Sequence, residues 1–388
     1  MNSKYKFPCG VLLSLALSLL VGCGGGGGGG GTNIGATETL KSFKDQVPTA
    51  EITGLSSMAG NPAIGPGGKL YLPTYNSINV FNSVPSSKKT LSDADIKNIG
   101  ITNPFGGGGI QSVAFAGEKM IVSDFTNNRV LIWNTTPSTQ DTTPSVILDK
   151  TSALYTNESC SYSYIYQPES IKVIGGNLVI ADSGNNRILI YDGIPTSNSD
   201  TPSVVLGDRS PCPLAIDYGQ VPVPDADLTA ATLNHPMDVA YDGEHLVVAD
   251  TYNDRLLMWT TKDLLSLSNS PQADIVLGQA SPTATTSHEL HFPWALATYT
   301  YASGTRVAVL DTPATPSLTD RVRIWDTAPS CTVSFPALSC EAPMGNPTKL
   351  SPGSSYGLAF TGLNQLIVLE EFKVSNIPNR RFSIFNAQ

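Results

Sequence analysis

Three aspartates in this 388-residue chain each stand five residues ahead of an arginine: Asp124 and Arg129, Asp182 and Arg187, Asp250 and Arg255. Paired charges of this kind perturb one another's pKa and recur at catalytic sites. Recurrence within one chain argues the other way, because a group present in every copy of a repeat supports the repeat, whereas a site on one axis needs asymmetry. The pairs are therefore expected to organise a turn, with Asn127, Asn128, Asn185 and Asn186 taking its awkward dihedrals. Other chemistry-bearing residues are sparse. There are 4 histidines; His235 and His291 precede apolar runs in Asn-His-Pro and His-Phe-Pro, but they occupy non-equivalent positions and assemble no three-imidazole zinc site. No nucleophile elbow and no haem-attachment motif is present. No cofactor is expected, and no metal. With 23 basic against 32 acidic residues and no basic run longer than a pair, a nucleic-acid partner is excluded, since phosphate binding needs clustered cations.

The N-terminus carries an address. Lys4 and Lys6 form a basic n-region, and Val11 to Val21 form an apolar stretch too short to span a bilayer as a mature helix. The stretch ends in Leu20-Val21-Gly22-Cys23, which resembles the bacterial lipobox. The resemblance implies a signal peptide over residues 1–22 and a lipid on Cys23, anchoring the protein in the cell envelope, with Gly24 rather than an inner-membrane retention aspartate leaning towards the outer membrane. The glycine run Gly24–Gly31 opens a flexible tether over 23–47. It lacks the flanking elements and Lys-Ser/Thr of a phosphate loop. Of 6 cysteines, Cys160, Cys212, Cys331 and Cys340 remain in the mature body. An even number in an exported protein favours disulfides, and sequence locality favours Cys160 with Cys212 and Cys331 with Cys340.

What positions these residues is a repeat. Gly117 to Trp133, Gly175 to Tyr191 and Gly243 to Trp259 share one pattern: an apolar run, the Asp, a turn, the Arg, a second apolar run and an aromatic residue. A fourth copy runs from Arg306 to Trp325 with a longer turn, a fifth from Leu366 to Phe385 without the Asp, and a worn one from Leu70 to Phe81. Each reads as a β-hairpin. A third run precedes each and a fourth follows, as in Pro144–Leu148 and Pro202–Leu206. Four antiparallel strands per repeat predict an all-β, six-bladed β-propeller over 48–388. The last copy lacks an outer strand, and Pro48–Gly54 matches Pro271–Gly278 in pattern, so the N-terminal segment is expected to complete the last blade and close the ring. Trp133, Tyr191, Trp259 and Trp325 share one repeat position and are expected to pack between blades.

The runs from Ala181 to Tyr191, Asn234 to Gly243 and Ala273 to Gln279 resemble the NHL-repeat family of β-propellers, particularly bacterial extracytoplasmic members. The resemblance implies a propeller; for function it implies interaction platforms, lectin-like or scaffolding modules, and occasionally lyases or hydrolases.

Candidates for function sit where the repeat varies at the channel mouth, at the start of each innermost strand: Gln111, Glu169, Asp238, Trp294 and Tyr356, with His235 at the entrance. Carboxylate, amide and aromatic groups in that arrangement suit a polar ligand or a peptide end. The leading expectation is a lipid-anchored envelope module that docks a protein, peptide or glycan on one face, with Cys212–Thr232 and Ser330–Ser355 as contact segments. The alternative is a metal-assisted lyase or lactone hydrolase working through Glu169, Asp238 and His235.

Overall fold

The computed structural model describes residues 48, 50–55, 60–74, 77–87, 89–90, 97–100, 109–138, 142–149, 165–207, 228–269, 271–279, 290–301, 304–312, 320–325, 339–340, 348–362, 365–374 and 377–386. The leader, the tether, Cys23, Cys160, Cys212 and Cys331 lie outside them, so the acylation site and both disulfide pairings do too.

The chain is all-β: six four-stranded antiparallel blades form a propeller ring. Blade 3 shows the plan, with Pro168–Ile174 innermost, then Asn177–Asp182, Arg187–Tyr191 and the outer Val204–Leu206. Blades 2 and 4 repeat it, beginning at Ile110–Ala116 and Pro236–Tyr241. The worn copy is blade 1, with strands Leu70–Pro73 and Ser77–Phe81. One long strand, Thr348–Gly362, serves two blades. Its Leu350 lies opposite Val322 as the outer strand of blade 5, and its Leu358 lies opposite Val368 as the innermost strand of blade 6. Ala50–Leu55 then pairs antiparallel with Ile377–Asn386, Ala50 opposite Ile384, which supplies the missing outer strand and closes the ring.

Period-two alternation gives each blade two apolar faces. In Asn177–Asp182, Leu178 and Ile180 pack with Ala114, Ile121 and Ile132 of blade 2, while Val179 and Ala181 pack with Val239, Leu246 and Trp259 of blade 4. Such a cluster occupies each of the six blade interfaces. Burying each large aliphatic side chain contributes roughly 1.5–3 kcal/mol, so the ring is held by side-chain packing between blades as much as by strand pairing within them. Trp133, Tyr191, Trp259 and Trp325 are all buried in these interfaces. The indole N–H of Trp259 donates to the Pro271 carbonyl at 3.0 Å, satisfying its polar atom.

The Asp–Arg pairs are turn braces. Their side chains meet at 2.7 Å (Asp124–Arg129), 2.7 Å (Asp182–Arg187) and 2.6 Å (Asp250–Arg255). Burial works to raise the Asp182 and Asp250 carboxyls, opposed by the guanidinium and by amide donors. In the longer turn of blade 5, Asp311 pairs with Arg321 at 2.6 Å. The four asparagines divide their work differently from the expectation that all take turn dihedrals. Asn128 and Asn186 do adopt left-handed backbone, φ 55° in each, as does Asp254 at 53°. Asn127 and Asn185 instead donate their amides to Asp124 and Asp182 at 2.7 and 2.8 Å. The left-handed residues have a second task. Their side-chain oxygens accept the backbone N–H of Gln167, His235 and Phe292 in the next blade, at 2.9, 2.7 and 2.6 Å. Each turn therefore latches onto the blade that follows.

Candidate functional site

The innermost strands all start on the face that carries the Asp–Arg turns, because residues such as Pro168 and Pro236 lie opposite Asp182 and Asp250. Two residues on, the register of five blades shifts. Gln111, Glu169, Met237, Trp294 and Tyr356 are each the extra residue of a β-bulge. A bulge leaves one residue unpaired and re-aims it, so four of the expected site residues occupy the one place in each blade that is released from the sheet. Asp238 follows its bulge by one position. For Tyr356 the description covers the backbone alone.

The residues just after the bulges form a closed polar layer across the axis. Asp238 is fully buried. Its Oδ1 accepts from Ser170 Oγ at 2.6 Å and from its neighbour Val239 N–H at 2.8 Å, and Lys172 Nζ stands 3.2 Å away. Its Oδ2 accepts from Leu296 N–H at 2.8 Å and from Asn61 Nδ2 at 3.1 Å. Asn61, at the start of blade 1, reaches that carboxylate from the opposite side of the ring, while its own N–H donates to the Gln111 carbonyl at 2.9 Å. Its Oδ1 faces Leu358 N–H of blade 6 at 3.4 Å. Ser112 completes the circuit by accepting Ile171 N–H at 3.2 Å. All six blades are thus joined through Asn61, Ser112, Ser170 and Asp238. Small residues make the space: a Cβ on Gly60 would lie 1.6 Å from the Gln111 carbonyl oxygen, and one on Gly357 would lie 2.7 Å from the Gly60 carbonyl. Five contacts on Asp238 leave it committed to this plug, at the floor of the mouth.

Above the plug, Glu169 is nine-tenths buried and accepts no hydrogen bond from any described residue. Its carboxyl is pushed up to about 8 by burial first and by the Asp238 charge second. His235, at φ 49° on the rim, brings Nε2 to 3.9 Å from Glu169 Oε1, too far for a hydrogen bond. Burial holds its imidazole down at about 4. The two groups therefore face each other uncharged at neutral pH, and the close approach is no ion pair. From His235 an aromatic run extends along the rim: Tyr252 stacks on it at 4.7 Å, Phe292 lies 5.3 Å beyond, and Trp294 meets Phe292 edge-on at 6.0 Å. Tyr252, Phe292, Trp294 and Gln111 are all half-buried. The Tyr252 hydroxyl is raised by burial and by Glu169.

The structure thus brings together Glu169, His235 and Trp294 on one side of the mouth and adds Tyr252 and Phe292, which the sequence reading did not select. Tyr252 stands where the preceding blades carry Thr126 and Gly184, so its signal was a departure from the repeat within the turn. Asn61 gave no such signal, because it precedes the worn blade. Of the expected contact segments, Cys212–Thr232 is described only over 228–232, just ahead of the innermost strand of blade 4. Within the other, Ser339–Cys340 runs parallel to the outer strand Ile275–Leu277 of blade 4, while Ser354 and Ser355 pair with Glu371 and Glu370 of blade 6.

No protein-family model matches the chain, and a search of curated proteins finds no match. Among solved structures, the chain is similar to the Neurospora crassa Pan2 WD40 domain, at 10% identity and TM-score 0.43, covering 85% of this chain and 81% of that one. YCF48 bound to D1 peptide matches at 12% identity and TM-score 0.43, over 85% and 82% of the two chains. A chain of the mitotic checkpoint complex matches at 10% identity and TM-score 0.47, over 92% and 100%.

Proposed function

We propose that the protein is a docking module of the NHL type, tethered in a bacterial cell envelope, outer membrane included, by a lipid on Cys23, and that it binds a protein, peptide or glycan partner on the mouth face of its propeller. The observation that carries the reading is the asymmetric wall of His235, Tyr252, Phe292 and Trp294 beside the buried Glu169. Five blades repeat the bulge, and among the described residues a continuous run of ring contacts from His235 to Trp294 lies along it in blades 4 and 5; half-buried aromatics on a rigid scaffold are what interface anchors are made of. The polar plug supports docking over passage, because Asp238 is spent on holding the floor. The metal-assisted lyase or hydrolase keeps one favouring observation, the two perturbed groups Glu169 and His235, although Asp238 has no lone pair to spare for it.

Two experiments test this. Cys23→Ser should move the protein from the membrane to the soluble fraction; continued membrane residence would overturn the anchor. Cross-linking in detergent extracts should capture a partner with the wild type and lose it with a Tyr252→Ala/Trp294→Ala double variant, while Lys119→Ala on the opposite face keeps it. Capture that is indifferent to the double variant would refute docking at this wall.

A further inference from the structure

The charges at the mouth do not balance evenly. Asp238 has Lys172 at 3.2 Å, two side-chain donors and two backbone donors. Glu169, one blade away, has none of these. The His235 imidazole stands 3.9 Å from it, and no described lysine or arginine pairs with it. An unsatisfied buried carboxyl costs free energy unless something answers it, and this one sits on a bulge, the feature that turns a side chain out of the sheet. The wall beside it is aromatic, and ring faces attract organic cations. The chain as a whole is acidic, −9 by formal charge, which draws basic partners by long-range steering.

Resting on the docking reading above, we propose that the basin beside Glu169 is an anchor site for one basic side chain, lysine or arginine, of a polypeptide partner. Glu169 supplies the counter-charge, and Tyr252, Phe292 and Trp294 supply the ring wall. The groups that set the protonation of this site are Glu169, Asp238 with its Lys172, His235 and Tyr252. Before binding, the Asp238 charge and burial keep the proton on Glu169. An arriving ammonium or guanidinium group favours the carboxylate, so the proton leaves Glu169 for the buffer and a charge-assisted hydrogen bond forms in its place. Binding is therefore coupled to proton release. A neutral sugar would bind without it.

Isothermal titration of the detergent-solubilised full chain tests this with three probes: acetyl-Gly-Gly-Lys-Gly-Gly-amide, the same peptide with glutamine in place of lysine, and maltohexaose. Measured in two buffers of different ionisation enthalpy near pH 6.5, the lysine peptide should release about one proton per site, and its affinity should rise by up to about tenfold per pH unit until about pH 8, then level off. Glu169→Gln imitates the protonated carboxyl in shape, so the fold should persist; proton release should vanish and the lysine peptide should weaken about tenfold or more at pH 8. Equal binding of the glutamine peptide, preference for maltohexaose, or indifference to Glu169→Gln would overturn the proposal. So would no heat from the lysine peptide up to about 10 mM. Each of those outcomes leaves the docking reading standing if partner capture still depends on Tyr252 and Trp294. Loss of that dependence would bring down docking itself.

Discussion

Glu169 and Arg255 show how differently two buried charges can be treated. Arg255 is fully buried, but its guanidinium meets Asp250 at 2.6 Å and donates to the Thr229 and Thr232 carbonyls, each at 2.8 Å. Arg255→Met should destabilise the protein by about 3–5 kcal/mol in urea titrations, because Asp250 would keep its hydrogen bonds from Asn234 N–H and Asn253 but lose its counter-charge in the interior. A loss below about 1 kcal/mol would mean that the brace is dispensable. Glu169 has no such answer, and its consequence is a pH dependence. Burial, and the Asp238 charge after it, push its carboxyl up to about 8 in the fold from an ordinary 4.5. The folded chain then binds a proton that the unfolded chain releases, so this residue's contribution to stability falls as pH rises from about 4.5 to about 8. Glu169→Gln removes the liability. The variant should match the wild type near pH 4 and gain on it by up to about 1.4 kcal/mol per pH unit, levelling off above pH 8. Because His235 titrates in both proteins, comparing them cancels most of its opposite-signed contribution, which grows between about 4 and 6.5. Melting curves of the two proteins across that range decide the matter; a gain that shrinks as pH rises would contradict the sign.

At the scale of the element, the informative unit is the hairpin turn with its left-handed residue. Asn186 combines φ 55° with an Oδ1 that accepts the His235 N–H at 2.7 Å. The two roles separate by substitution. Asn186→Gly keeps the backbone freedom and loses the inter-blade hydrogen bond, for a cost of about 1 kcal/mol. Asn186→Ala loses both and should cost roughly 1–2 kcal/mol more. Equal effects of the two variants in denaturant titrations would show that the conformation carries no strain. The hairpins were legible from sequence because apolar alternation, a polar turn and an Asp–Arg pair recur together, and blade 5 kept its Asp311–Arg321 pair even with a longer turn. The column Gln111, Glu169, Trp294 and Tyr356 was legible as well, since aligning the repeats brings these residues together, but that each is a bulge was not, because a register shift depends on the partner strand. What lay beyond the sequence was the direction of Asp238. Its partner Asn61 is 177 residues away and reaches it across the axis, a contact that no local pattern records. Sequence position made Asp238 look available, and the fold spends it on the floor of the mouth.

For the whole molecule, the decisive feature is that the ring has a seam. Five interfaces join blades that follow one another in the chain, whereas the sixth joins blade 6 to blade 1 and depends on both ends of the folded body. There Ala50, Ile367, Leu369 and Ile384 pack with Leu70, Leu72 and Phe81. Ala50–Leu55 is the outer strand of blade 6 and stands only six residues ahead in sequence of Asn61, the residue that crosses the axis to Asp238. Closure and plugging therefore share one short stretch of chain. Removing residues 1–47 should leave the melting temperature within a few degrees, because the strand and the plug both survive. Removing residues 1–55 should do far more than delete six residues of strand. Ile377–Asn386 would be left as an unpaired edge, and such edges template association with other chains. The expected result is a broadened, less cooperative melt with dimers or larger species in size-exclusion chromatography. Supplying residues 48–55 as a separate peptide should restore a sharp transition, since the seam needs the strand and not its covalent attachment. A monomeric, cooperatively melting 56–388 chain would show instead that the other five interfaces hold the ring without a closed seam, and the account of a fold locked by the strand Ala50–Leu55 would fail.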